Sequence, residues 1–165
     1  MRKMLFFLLL LPVVFGECKK KSEDCVPYHY QYTYKNNSQV DTLRNTQGSP
    51  LVAVVNTGTK KVFTYTWYSS PCHMLVDGGA GATLVFEVDS AATSFNYFTN
   101  DLAAAHCYYQ LTCVECFPRG AFTPFSGTIE GTRTNGTQWN VQADLKLTST
   151  GTGVLQFSGV FTPAQ

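Results

Sequence analysis

The sequence predicts an all-β fold, an antiparallel β-sandwich of about ten strands, with an up-and-down β-barrel as the alternative. Three observations carry this. Apolar and aromatic residues recur with a period of two along much of the chain, which places them on one face of a strand. Charged residues make up only 14% of the chain and aromatic residues another 14%, a balance suited to half-buried pleated surfaces. Glycines, asparagines and prolines punctuate the periodic runs, where the chain has to turn.

The elements follow in order. Tyr28, Tyr30, Tyr32 and Tyr34 alternate with His29, Gln31 and Thr33, which reads as a strand. Leu51–Val55 is a short apolar run consistent with a buried strand, and Asn56-Thr57-Gly58-Thr59 turns the chain after it. Phe63, Tyr65 and Trp67 alternate with Thr64 and Thr66 until Pro71 and Cys72 close the strand. Asp77-Gly78-Gly79-Ala80-Gly81 is a turn, followed by Leu84, Phe86 and Val88 on one face. Phe95 and Tyr97 mark another short strand. Asn100 before Asp101-Leu102-Ala103-Ala104-Ala105 allows at most one short helix near 100–106, with Asn100 as its cap. Cys107 to Val114 is extended again.

The last forty or so residues form three strands marked by Phe125 and Ile129, by Trp139, Val141, Ala143, Leu145 and Leu147, and by Leu155, Phe157 and Phe161. Asn135-Gly136 signals a two-residue hairpin, but that loop would set Ile129 against Gln142 and mix the faces. A three-residue loop, Thr134-Asn135-Gly136 with Gly136 left-handed, pairs Ile129 with Val141, Gly127 with Ala143 and Phe125 with Leu145. Phe125-Ser126-Gly127-Thr128-Ile129 and Phe157-Ser158-Gly159-Val160-Phe161 are near copies. Pairing Leu145 with Phe157 then creates a waist of Gly127, Ala143 and Gly159. An aromatic ring should fill that waist, because voids in a core are costly, and Trp67 or Phe86 is the expected filler.

The N-terminus reads as a targeting segment. Arg2 and Lys3 precede an apolar run from Leu5 to Phe15, about the length of a signal-peptide core and well short of the roughly twenty residues of a membrane span. Residues 1–17 are therefore taken as a signal peptide, 18–26 as a charged tether and 27–165 as a single β-domain. Val14 and Gly16 fit cleavage before Glu17, which would release a soluble periplasmic or secreted protein. A short leader ending at Cys18, followed by Lys19-Lys20-Lys21-Ser22-Glu23-Asp24, resembles the start of a small Bacteroidetes-type exported lipoprotein. That resemblance implies a lipid on Cys18 and an outer-membrane or cell-surface location. The sequence departs from the pattern at Glu17, where a small residue is expected.

Cysteine chemistry goes with export. Six cysteines lie at 18, 25, 72, 107, 113 and 116, and in an oxidising compartment disulfides are the default. With Cys18 lipidated, Cys25, Cys72, Cys107, Cys113 and Cys116 remain as candidates. Six residues of straight strand hold Cys107 and Cys113 about 20 Å apart, beyond bridging distance. Cys72 with Cys107, and Cys113 with Cys116 or Cys25, are the expected pairs. His73, His106, Cys107, Cys113 and Cys116 form the alternative, a thiolate and imidazole metal site, but only one Cys-x-x-Cys pair is present. Tyr28, Tyr30, Tyr32 and Tyr34 are candidate binding residues, because exposed tyrosine rings can stack on sugars. The acids Glu87 with Asp89, and Glu130 with Asp144, share strand faces but read as solvated.

The net charge is +1 with no basic stripe, so no nucleic acid partner is expected. There is no Gly-x-Ser-x-Gly, His-Glu-x-x-His or phosphate loop in the sequence, and no cofactor is implied. The expectation is a non-catalytic exported domain with a structural, adhesive or ligand-binding role. Its partners would be a membrane reached through the lipid and a glycan or envelope protein. A metal-binding module and a small hydrolase are the alternatives.

Overall fold

A computed structural model describes residues 28–43, 51–69, 81–112, 120–148 and 153–165. The described residues form ten strands: β1 (His29–Leu43), β2 (Val52–Thr57), β3 (Lys60–Tyr68), β4 (Gly81–Val88), β5 (Ser94–Phe98), β6 (Tyr108–Thr112), β7 (Ala121–Phe122), β8 (Ser126–Arg133), β9 (Trp139–Lys146) and β10 (Val154–Pro163). The fold is all-β, as the period of two predicts. The strands join in one curled sheet, a half-barrel in the order β5-β8-β9-β10-β1-β3-β4-β6-β7, with β2 paired to β1 off that path. The sheet is mixed and not purely antiparallel, because β1 and β10 run parallel, Thr33 beside Thr162 and Tyr34 beside Pro163. That joint brings the N-terminal and C-terminal halves of the sheet together.

Alternation along each strand sends one set of side chains inward. Phe63, Phe86, Trp139, Phe161, Ile129 and Leu145 are fully buried there. Phe63 lies at the centre, stacked on Phe86 at 5.2 Å and edge-on to Trp139 at 5.3 Å. Burying each such ring stabilises the fold by about 1.5–3 kcal/mol, and favourable ring geometry adds about 0.5–1.5 kcal/mol per pair.

β1 does two jobs. Its first half pairs with β3 up to Lys35, and the register then shifts before Ser38. Asn37 sits at the shift with φ of 50°, a left-handed conformation that asparagine tolerates better than most residues. Beyond the bulge, β1 pairs with β2. Val40 of β1 packs with Val62 of β3 and Val85 of β4 in a second small core, with Ala53, Val55 and Tyr108 against it. These belong to the outer face of the sheet, so β2 is a half-buried cover and not the buried strand its apolar run predicts.

The C-terminal strands keep the expected faces but not the expected rows. Ile129 pairs with Ala143, and Gly131 with Val141. Leu145 pairs with Leu155, and Gly159 with Val141. Each register is two residues from the expected one, which preserves which side chains point inward. The hairpin loop accounts for the shift. It runs from Thr134 to Gln138, closed by the Thr134 N–H on the Gln138 carbonyl at 2.9 Å. The Arg133 guanidinium donates to the carbonyls of Asn135 and Gly136, and the Asn135 side-chain oxygen accepts from the Thr137 N–H. This Asx turn makes a left-handed Gly136 unnecessary, and Gly136 is not among the residues with positive φ.

The waist moves accordingly. It consists of Gly131, Val141 and Gly159, and neither Trp67 nor Phe86 fills it. The Phe95 ring lies over Gly131 and the Tyr32 ring over Gly159, each so close that a methyl group at the glycine would overlap it. The near-copy Gly127 has another purpose. Its φ of 131° breaks the alternation, and Phe125 is 58% exposed instead of facing Leu145.

No helix forms at 100–106. The segment is a single turn, opened by Asp101 and not by Asn100. Asp101 Oδ2 accepts from the Phe98 N–H at 3.0 Å, while the Phe98 carbonyl accepts from the Asp101 N–H at 2.7 Å. Bonds from the Cys107 N–H to the Leu102 carbonyl and from the His106 N–H to the Ala103 carbonyl close it as a Schellman motif. His106, at φ of 45°, occupies the left-handed position usually given to glycine.

Candidate functional site

The turn that closes at His106 separates two residues that the sequence places side by side. Cys107 is fully buried in the main core and carries a free thiol. Burial pushes its pKa well above the usual thiol range. The expected bridge from Cys107 is therefore not seen, and its expected partner Cys72 lies outside the described residues. Cys18, Cys25, His73, Cys113 and Cys116 lie outside them as well. His106 points to the other side, half exposed, with Nδ1 3.1 Å from Glu87 Oε2. Among the described residues no group of three or more His, Cys, Asp or Glu side chains could hold a metal ion.

Glu87, expected to be solvated, is only 9% exposed. Its Oε1 accepts from the Val40 N–H at 2.6 Å, and Oε2 faces His106. Its backbone carbonyl accepts from the Tyr97 hydroxyl at 3.1 Å, and its N–H donates to the Ala105 carbonyl at 2.8 Å. One residue of β4 thus holds the β1–β2 cover, the 99–106 turn and β5. The other acids behave as expected of surface groups. Asp89 pairs with Lys60 at 3.2 Å, and Glu130 bonds Gln142. Glu130, Gln142, Asp144, Gln156 and Ser158 line a shallow groove of about 350 Å³ on the outer face of the C-terminal strands.

Among the described residues Lys61 is the other buried charge. It donates to the Ser90 carbonyl and lies over the Trp139 ring, 5.8 Å from its centroid. Burial holds its pKa below the usual lysine range. It closes the end of the core where β3 begins.

The tyrosine row is the feature that reaches from core to solvent. Tyr34, Tyr32 and Tyr30 pair across to Phe63, Tyr65 and Trp67 of β3. Tyr34 is 4% exposed, Tyr32 is half-buried, and Tyr30 and Tyr28 are 54% and 53% exposed. The rings form a continuous set. Tyr28 meets Trp67 edge-on at 5.7 Å, Tyr30 stacks on Tyr65 at 6.4 Å, and Tyr65 stacks on Phe157 at 4.4 Å. Tyr109 of β6 lies beside Trp67, and burial outweighs the effect of the indole in setting the Tyr109 pKa. On the opposite face of the same strand end, His29 stacks on Tyr68 at 4.8 Å. Burial raises the pKa of Tyr32, Tyr65 and Tyr109, so these phenols stay protonated well past neutrality.

The sequence places the four tyrosines on one face correctly. It does not pick out Tyr65, Trp67, Tyr109 and Phe157 as their companions, because they come from three other strands that only the sheet order β10-β1-β3-β4-β6 brings together. Comparison with known proteins adds nothing to this geometry: no family model, curated protein or solved structure matches the chain.

Proposed function

We propose that this protein is an exported, lipid-anchored, non-catalytic β-domain of the cell envelope, with an adhesive or structural role exercised through its aromatic end. The observation that carries this reading is the graded row from Tyr34 to Tyr28, in which rings leave the core and reach solvent together with Trp67. Aromatic rings with polar tips suit a surface that meets apolar and polar groups at once. Among the described residues, Glu87 is held by Val40 and His106, Lys61 by Ser90, and Cys107 is sealed in the core. The leader and the Cys18-Lys19-Lys20-Lys21 start support export and anchoring.

Intact mass of the mature protein tests the anchor. Cleavage before Cys18 with added acyl chains is the expected result, and an unmodified chain beginning at Glu17 would refute anchoring. A glycan array tests adhesion to sugars, in which binding that is lost on Tyr28→Ser and Tyr30→Ser would identify a glycan as the adhesive ligand.

A further inference from the structure

We infer that the aromatic end of the half-barrel seats on the lipid–water interface of the membrane that carries the anchor, with Tyr28, Tyr30, Trp67 and Tyr68 at headgroup level. This rests on the lipid-anchored reading and names the surface that the aromatic end contacts.

Three observations place the membrane at this end. The first is chain length. The tether from Cys18 to Val26 is nine residues long and spans at most about 30 Å when fully extended. It enters the domain at Tyr28, the first described residue and itself part of the aromatic end. The lipid therefore keeps this end, where the chain enters the domain, within about 30 Å of the bilayer. The opposite end, at Lys61, lies about 20 Å further along β3. The second is chemistry. Tyrosine and tryptophan concentrate where hydrocarbon meets water, because their rings are apolar and their tips are polar. Here they occupy both faces of one strand end, Tyr28, Tyr30 and Trp67 on one side and Tyr68 with His29 on the other. A pocket for a small ligand needs one lined face, whereas insertion into an interface suits a strand end with rings on both faces of the sheet. The third is charge. Lys19, Lys20 and Lys21 directly follow Cys18, and basic residues at a membrane surface are attracted by anionic headgroups.

The two tryptophans make the test direct, since Trp139 is fully buried in the core and Trp67 belongs to the aromatic end. The mature protein is purified in detergent, its acylation is read by intact mass, and it is reconstituted into phosphatidylethanolamine–phosphatidylglycerol vesicles with and without brominated acyl chains. The expected result is quenching of part of the tryptophan emission by the brominated lipid. That quenching should be lost in W67F, which retains Trp139, and reduced in the Tyr28→Ser, Tyr30→Ser double variant with its acyl chains intact. Circular dichroism of the variants checks that they are folded. An acylated, folded protein whose emission is the same in both vesicle types overturns docking and leaves the anchor standing. A chain without acyl groups overturns both. Trp67 emission that responds to free sugars but not to brominated lipid assigns the end to glycans and also overturns docking.

Discussion

Glu87 shows how one side chain can hold several elements. Glu87→Ala would strand the Val40 N–H and remove the partner of His106, and an unsatisfied buried donor costs about 1–3 kcal/mol. Glu87→Gln keeps an acceptor for Val40 and should recover much of that loss, as chemical denaturation of the two variants would reveal. Gly127 and Gly159 look alike in sequence but should respond differently to alanine. At Gly127 a methyl group meets the Asp144 carbonyl, which is backbone, at a φ of 131°. At Gly159 it meets the Tyr32 ring, which can rotate. Gly159→Ala should therefore cost about 1–3 kcal/mol, the usual range for overpacking, and Gly127→Ala more, with the difference read from thermal melts. Cys107 should resist iodoacetamide in the folded protein and react only after unfolding, because it is buried and its thiolate is disfavoured. Peptide mapping of the alkylated protein would locate the label.

At the scale of elements, pH dependence follows from which groups each strand buries. Burial raises the pKa of Tyr65 in β3, Tyr97 in β5 and Tyr109 in β6. A raised folded-state pKa contributes stability that is fully present below the unfolded tyrosine value of about 10 and is lost as pH rises toward the folded value. The melting temperature should therefore fall above about pH 10. Lys61 acts in the opposite sense and at lower pH: its lowered pKa lets the folded state release its proton first and gain stability as pH rises toward the unfolded lysine value of about 10.4, with no further gain above it. Above about pH 10 the raised phenols of Tyr32, Tyr65, Tyr97 and Tyr109 set the direction, because the lysine gain is complete by then. On the acid side, hydrogen bonds from Asn56 and Gln39 lower the pKa of Asp41, and the Ala91 N–H with Lys60 lowers that of Asp89. Stability from these carboxylates is present above their unfolded pKa and lost as pH falls through the folded value. Melting temperatures measured across both ranges would show a plateau with two falling shoulders, and a flat alkaline limb would contradict the buried tyrosines. The elements were legible where alternation was strong, as in β3, β4 and β9. β7 has only two residues and leaves no periodic trace. The second half of β1, from Asn36 to Leu43, is too polar to announce itself, because it faces the small outer core with only a few apolar residues.

For the whole molecule, β10 is the joint. It pairs with β9 along its length and with β1 in parallel near its end, and it brings Leu155 and Phe161 into the core. Deleting residues 154–165 should leave the two halves of the sheet unconnected and abolish the cooperative thermal transition seen by circular dichroism. Retention of a cooperative melt would show that the halves hold together through side-chain packing alone. The same joint pairs residues more than a hundred positions apart, so refolding is expected to be slow, in the range of about milliseconds to seconds typical of non-local β topologies.

What the sequence determined by itself was the class of structure and, where the alternation runs unbroken, the side of the strand that faces inward, since a period of two is a local property that survives any register shift of two; Phe125 and β2 are the exceptions. The tyrosine face was legible for the same reason. Registers, strand order and the fillers of the glycine waist were decided only by the tertiary structure. A five-residue loop and a three-residue loop satisfy the same alternation, and only the bonds of Arg133 and Asn135 choose between them. Likewise, nothing local says that Glu87 is buried or that His106 and Cys107 face apart. Those outcomes depend on the β1–β2 cover folding over the sheet and on a turn that ends in a left-handed histidine, and both require contacts between residues far apart in the chain.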